Sequence, residues 1–117
     1  MNLKPNELLK LFSDPTRLRT LALLLQEGEL CVCELTYALG VIQPKISRHL
    51  ATLRDAGIVL DQRAGKWVYY RIAPDLPDWV RSILEAASKG MRQDKQFRED
   101  LKKLANMPKR PENNICA

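Results

Sequence analysis

The chain contains no apolar run long enough to span a bilayer and no secretory segment, which argues against a transmembrane helix and for a cytoplasmic protein. It also lacks an even set of cysteines. Three cysteines in 117 residues, Cys31, Cys33 and Cys116, do not make a closed disulfide framework, so the thiols are expected to be reduced. A single histidine, His49, cannot furnish a zinc site alone. No Cys-x-x-Cys occurs in a strand-helix-strand setting, so a thiol oxidoreductase is disfavoured and no enzyme is expected. No repeat or low-complexity tract is present.

What is there is a 45% hydrophobic composition, enough for one small core without metal or disulfide staples, so folding needs no cofactor. Nineteen Lys and Arg against fourteen Asp and Glu give a net charge of +5, which favours an anionic partner such as nucleic acid. A merely soluble basic surface would give the same charge, so the elements must decide.

Pro5 can open a first helix with apolar Leu8, Leu9, Leu11 and Phe12. Asp14-Pro15 reads as an N-cap and first helical residue, and Leu18, Leu21, Leu24 and Leu25 carry a second helix to Glu27-Gly28. A third, Glu34 to Leu39, ends at Gly40 and is followed after Val41-Ile42 by a fourth. There Ile46, Leu50 and Leu53 form a buried stripe opposite Lys45, Ser47, Arg48 and Thr52. Ile58 to Arg63 and Trp67 to Ile72 flank Ala64-Gly65-Lys66 as a hairpin with a basic tip, in which Tyr70 is read as core. Val80, Ile83, Leu84 and Ala87 mark a fifth helix, and Phe97, Leu101 and Leu104 a weaker last one.

This order defines a mainly α fold with a small β-hairpin, a winged helix-turn-helix. Residues 1–106 form the DNA-binding and dimerisation domain and 107–117 a flexible tail. The fourth helix is expected in the major groove of double-stranded DNA with Gln43, Lys45, Ser47 and Arg48 near bases or phosphates, while Arg63 and Lys66 on the wing hold the backbone. His49 reads equally as a packed residue at the core edge or as a further DNA contact. The stripes Leu8, Leu11, Phe12 and Val80, Ile83, Leu84, Ala87 exceed the needs of one core, so a homodimer is expected.

Cys31 and Cys33 stand before the third helix. Cys33 occupies the cap position ahead of Glu34-Leu35, where free N–H groups would stabilise a thiolate and depress its pKa; Cys31 belongs to a short extended entry or to the same site. Two soft thiols suit a soft ion or a redox signal.

Glu29-Leu30-Cys31-Val32-Cys33-Glu34-Leu35, then Gln43-Pro44-Lys45-Ile46-Ser47-Arg48-His49-Leu50, then Gly65-Lys66-Trp67-Val68 resemble the arsenical-resistance repressors of the ArsR/SmtB family. The resemblance implies a homodimeric repressor that binds operator DNA of an arsenic-resistance operon and leaves it when As(III) or Sb(III), the inducer, binds the cysteines. A Cd/Pb- or redox-responsive repressor using the same thiols is the alternative. Family members often carry a third cysteine where Thr36 stands, which leaves Cys116, a cellular thiol or a bound hydroxide for the third arsenic position. Cys116 is read as a spectator. The family's zinc sites need several histidines on the last dimer helix, and residues 80–89 have none.

Overall fold

The structure, a computed structural model, describes residues 2–111; Cys116 lies outside the described residues. In chain order the elements are α1 (Pro5–Phe12), α2 (Pro15–Glu27), β1 (Glu29–Cys31), α3 (Val32–Leu39) and α4 (Gln43–Asp55). They are followed by β2 (Val59–Ala64), β3 (Trp67–Ile72), α5 (Asp78–Met91) and α6 (Lys95–Ala105). This is the winged helix-turn-helix anticipated above, with one addition. The wing is a three-stranded antiparallel sheet in the order β1-β3-β2 rather than a bare hairpin. The short strand β1 pairs Glu29 with Arg71, Leu30 with Tyr70 and Cys31 with Tyr69. Three residues are too few to show an alternating pattern, so sequence periodicity offers no sign of it.

Local chemistry sets the helix boundaries. Asp14 caps α2 by accepting from the Arg17 N–H at 3.0 Å, Pro15 fills the first position, and Gly28 at φ 91° ends the helix. Gly40, at φ 66°, takes the left-handed conformation that turns α3 into α4 without the penalty a Cβ would bring. Ile46, Leu50 and Leu53 of α4 are fully buried against a core that includes Leu21, Leu23, Leu24, Leu35 and Ile58. By area, each of these side chains contributes about 1.5–3 kcal/mol.

One expectation about the core is corrected, and the reading of Tyr70 as core holds. Leu8 and Phe12 of α1 and Val80 and Leu84 of α5 are buried within a single chain, so they serve its own core instead of a partner's surface. Leu9 and Trp79 are the large apolar side chains these helices leave exposed. Tyr69 is as buried as Tyr70, because β3 is the central strand and is covered on both faces.

The last helix is fastened to the helix-turn-helix. The Arg19 guanidinium of α2 grips Asp100 of α6 with two bonds of 2.8 and 2.9 Å and donates to the Leu39 carbonyl at 3.1 Å, the last residue of α3. Gln96 adds a bond of 3.0 Å to the same carboxylate, which is almost completely buried. A carboxylate removed from water in this way needs such a partner.

Candidate functional site

Cys31 is the last residue of β1 and the N-cap of α3. Its Sγ accepts the Cys33 N–H at 3.4 Å, and its own N–H donates to Glu34 Oε1 at 2.8 Å. This is a capping box with sulfur in place of the usual serine or threonine oxygen. The cap is therefore Cys31, two residues earlier than expected, and Cys33 lies inside the first turn. The winding brings the two sulfurs together, with Cys33 Sγ donating to Cys31 Sγ at 2.9 Å. Cys31 is buried and Cys33 partly so.

The expected depression of the Cys33 pKa is not found. Burial, the bond to Cys31 and the charges of Cys31 and Glu34 push the thiol up to about 12, against a weaker downward pull from the Glu34 N–H. The dipole of a two-turn helix does not overcome desolvation beside a second thiol and a carboxylate. Cys33 therefore rests as the protonated thiol.

Glu34 was not singled out in the sequence. It is fully buried, one oxygen holding the Cys31 N–H and the other paired with the guanidinium of Arg110. Arg110 also reaches Glu27 Oε1 at 3.2 Å. The segment expected to be a tail from residue 107 thus carries an arginine that closes onto the thiol end of the molecule. The spacing Cys31-x-x-Glu34 was a usable signal for the capping box. Nothing local could have revealed Arg110, which is 76 residues away.

The thiols open into a cleft of about 630 Å³. Its walls are Thr36 and Tyr37 of α3, Gln43 and Ser47 of α4, Arg63, Lys66 and Trp67 of the wing, and Met107. The sulfur pair and part of the expected DNA-reading surface therefore share one concavity. Thr36 lines this cleft, and its Oγ1 is shielded from solvent without a hydrogen-bond partner among the described residues.

The outward face of α4 presents Gln43, Lys45, Ser47 and Arg48 to solvent, and the wing presents Arg63 and Lys66. Lys66 Nζ sits 5.1 Å above the Trp67 ring, and Arg54 joins the end of α4 to the wing through Asp61 at 3.3 Å. His49 does not belong to this face. It is turned toward the start of α2, with Nδ1 3.3 Å from Arg17 Nη1 and Nε2 3.8 Å from Asp14 Oδ1. Burial lowers its pKa, with Asp14 opposing and Arg17 assisting. Of its two readings, the packed one describes its position. Arg17 also donates to the Leu11 carbonyl at 2.8 Å, so this cluster ties α1, α2 and α4 together.

A basic recognition helix fully exposed on its outer face, beside a basic wing, is the surface of a DNA-binding transcriptional regulator. The sequence pattern of the bacterial regulatory proteins of the arsR family matches residues 14–60. The chain is 49% identical over 116 residues to the arsenic resistance transcriptional regulator ArsR1 of Pseudomonas putida, covering 98% of this chain and 89% of that one. It is 52% identical over 85 residues to the arsenical resistance operon repressor of Escherichia coli, covering 73% of each. Among solved structures, the transcriptional repressor BigR from Xylella fastidiosa superposes with a TM-score of 0.65 at 34% identity, covering 77% of this chain and 86% of BigR. The chain belongs to the arsR family: it is a transcriptional regulator, not an enzyme. Among the described residues, no helix is long and apolar enough to cross a membrane.

Proposed function

We propose that the protein represses an arsenic-resistance operon, binding its operator as a homodimer and releasing it when As(III) or Sb(III) is captured by Cys31 and Cys33. The observation that carries this reading is the sulfur pair at 2.9 Å on the first turn of α3, opening into the cleft walled by the recognition helix and the wing. A trivalent metalloid hydroxide is neutral and exchanges hydroxide for thiol with loss of water.

Capture engages the Cys31 sulfur that now accepts the Cys33 N–H, so it competes with the cap of α3. α3 leads through Gly40 directly into α4, where Gln43, Lys45, Ser47 and Arg48 are proposed to meet the major groove while Arg63 and Lys66 hold phosphates. His49 acts behind this surface by seating α4 on α2. The dimer surface is built on what α1 and α5 leave uncovered, Leu9 and Trp79 among them. Cys116 stays a spectator in this reading.

Fluorescence anisotropy of labelled promoter DNA, titrated with arsenite, antimonite, cadmium and zinc, tests the proposal. Arsenite and antimonite should release the wild type, and Cys31→Ser and Cys33→Ser should each hold DNA through the titration. Release by cadmium or zinc but not by arsenite would overturn it, as would an unimpaired arsenite response in Cys33→Ser.

A further inference from the structure

A threonine inside a helix ordinarily returns its hydroxyl to the carbonyl one turn back. Two here do so: Thr20 Oγ1 donates to the Thr16 carbonyl at 2.8 Å, and Thr52 Oγ1 to the Arg48 carbonyl at 3.0 Å. Thr36, inside α3, does not. Its Oγ1 is shielded from solvent and has no hydrogen-bond partner among the described residues. A buried hydroxyl left in this state carries a desolvation cost, and such groups in native proteins call for an explanation.

The location supplies one. Thr36 follows Cys33 by one helical turn, a spacing that places two side chains on the same face. It lines the same cleft as both cysteines. An alcohol oxygen is too hard to replace a thiolate on a soft trivalent centre, but it donates and accepts hydrogen bonds.

We propose that Thr36 is the third recognition element of the inducer site: its hydroxyl hydrogen-bonds the one hydroxide that trivalent arsenic or antimony retains after two thiols have bound. This rests on the thiol-sensing reading above. The exchange balances without any redox partner. As(OH)₃ loses two As–O bonds and gains As–S bonds to Cys31 and Cys33, and each thiol proton leaves with a displaced hydroxide as water. The product, a bis-thiolate arsenic hydroxide, keeps one As–OH for Thr36. The site is thereby matched to a ligand whose third substituent is a hydroxide. Methylarsonous acid, CH₃As(OH)₂, spends both hydroxides on the same two thiols and offers Thr36 only a methyl group.

That difference makes the proposal testable apart from any general effect on folding. Thr36→Val removes the hydroxyl at nearly constant shape, and Thr36→Ser restores it. Half-release of operator DNA by arsenite should need a three- to tenfold higher concentration in Thr36→Val, the range set by one net hydrogen bond. Thr36→Ser should stay close to wild type, and release by methylarsonous acid should be unchanged in both variants. Arsenic K-edge absorption of the loaded, DNA-free wild type should show two As–S contacts and one As–O. Three As–S contacts would overturn the role of Thr36 while leaving thiol sensing intact, as would equal shifts for both inducers in Thr36→Val. A wild type that binds no arsenic would overturn both readings.

Discussion

Replacing Arg110 by Gln removes the guanidinium from a carboxylate that water cannot reach. Glu34 is fully buried, and breaking a buried ion pair by deleting one partner costs about 3–5 kcal/mol when both ends are dry. Here the Arg110 side chain is 25% exposed, so solvent screens its end of the pair. Glu34 also keeps the Cys31 N–H, which lowers the expected loss to about 1–3 kcal/mol. The second contact, from Arg110 to Glu27, lies at the surface and adds at most about 1 kcal/mol. At roughly 4 °C per kcal/mol for a chain of this size, the two losses together should lower the melting temperature by about 4–16 °C. Thermal and urea unfolding followed by circular dichroism, at one fixed protein concentration because dimerisation would shift the midpoint, measures this directly. The decisive comparison is the double variant Glu34→Gln/Arg110→Gln. Its neutral amide can still accept the Cys31 N–H and leaves no charge behind, so it should regain most of the loss. An Arg110→Gln protein within about 0.5 kcal/mol of wild type would refute the reasoning, and so would a double variant no more stable than the single one.

On the DNA face, Arg48→Ala should weaken operator binding sharply and relax sequence preference, whereas Lys66→Ala should weaken all sequences alike and lower the salt slope by about one; anisotropy at several salt concentrations separates the two. Burial holds the His49 pKa below 6.5, so its folded form resists protonation. The stability this gives is present above pH 6.5 and is lost as pH falls below that value, and unfolding midpoints between pH 7 and 5 should drop more steeply in wild type than in His49→Gln. Cys33 behaves in the opposite sense. Its thiol pKa rises from 9.0 to about 12, so the stability linked to the retained proton is complete below pH 9 and disappears as pH climbs toward 12. Alkaline unfolding of Cys33→Ala should lack that component.

The fold was legible wherever periodicity and end signals coincide. Asp14-Pro15, Gly28 and Gly40 mark helix limits that the backbone respects, and Ile46, Leu50 and Leu53 are fully buried. The strand Glu29–Cys31 was hidden by its brevity. Leu8, Phe12, Val80 and Leu84 were misassigned to a dimer surface because an apolar stripe does not say which neighbour covers it. At the site, the cysteines were conspicuous by type and spacing, but the protonation of Cys33 depends on burial and on Glu34, which spacing alone does not report. The position of His49 follows from Arg17 and Asp14 across a helix packing, and Arg110 meets Glu34 only through the tertiary fold.

Because Cys31 ends β1 and is paired in register with Tyr69 of β3, the sulfur lies at the root of the same sheet whose far corner is Gly65. Two residues of extended chain lead from Tyr69 to Trp67, where the turn that carries Gly65 begins, about 7 Å at the usual rise per residue. The wing is thus a lever with its fulcrum beside the sulfur pair. A tilt of about 10° at Cys31 would swing that end of the strand by about 1 Å over that length, comparable to the difference between a phosphate hydrogen bond made and one lost. Such a movement bypasses the turn between α3 and α4 entirely, so under the proposed capture at Cys31 the wing and the recognition helix would be drawn from the DNA along two separate mechanical paths.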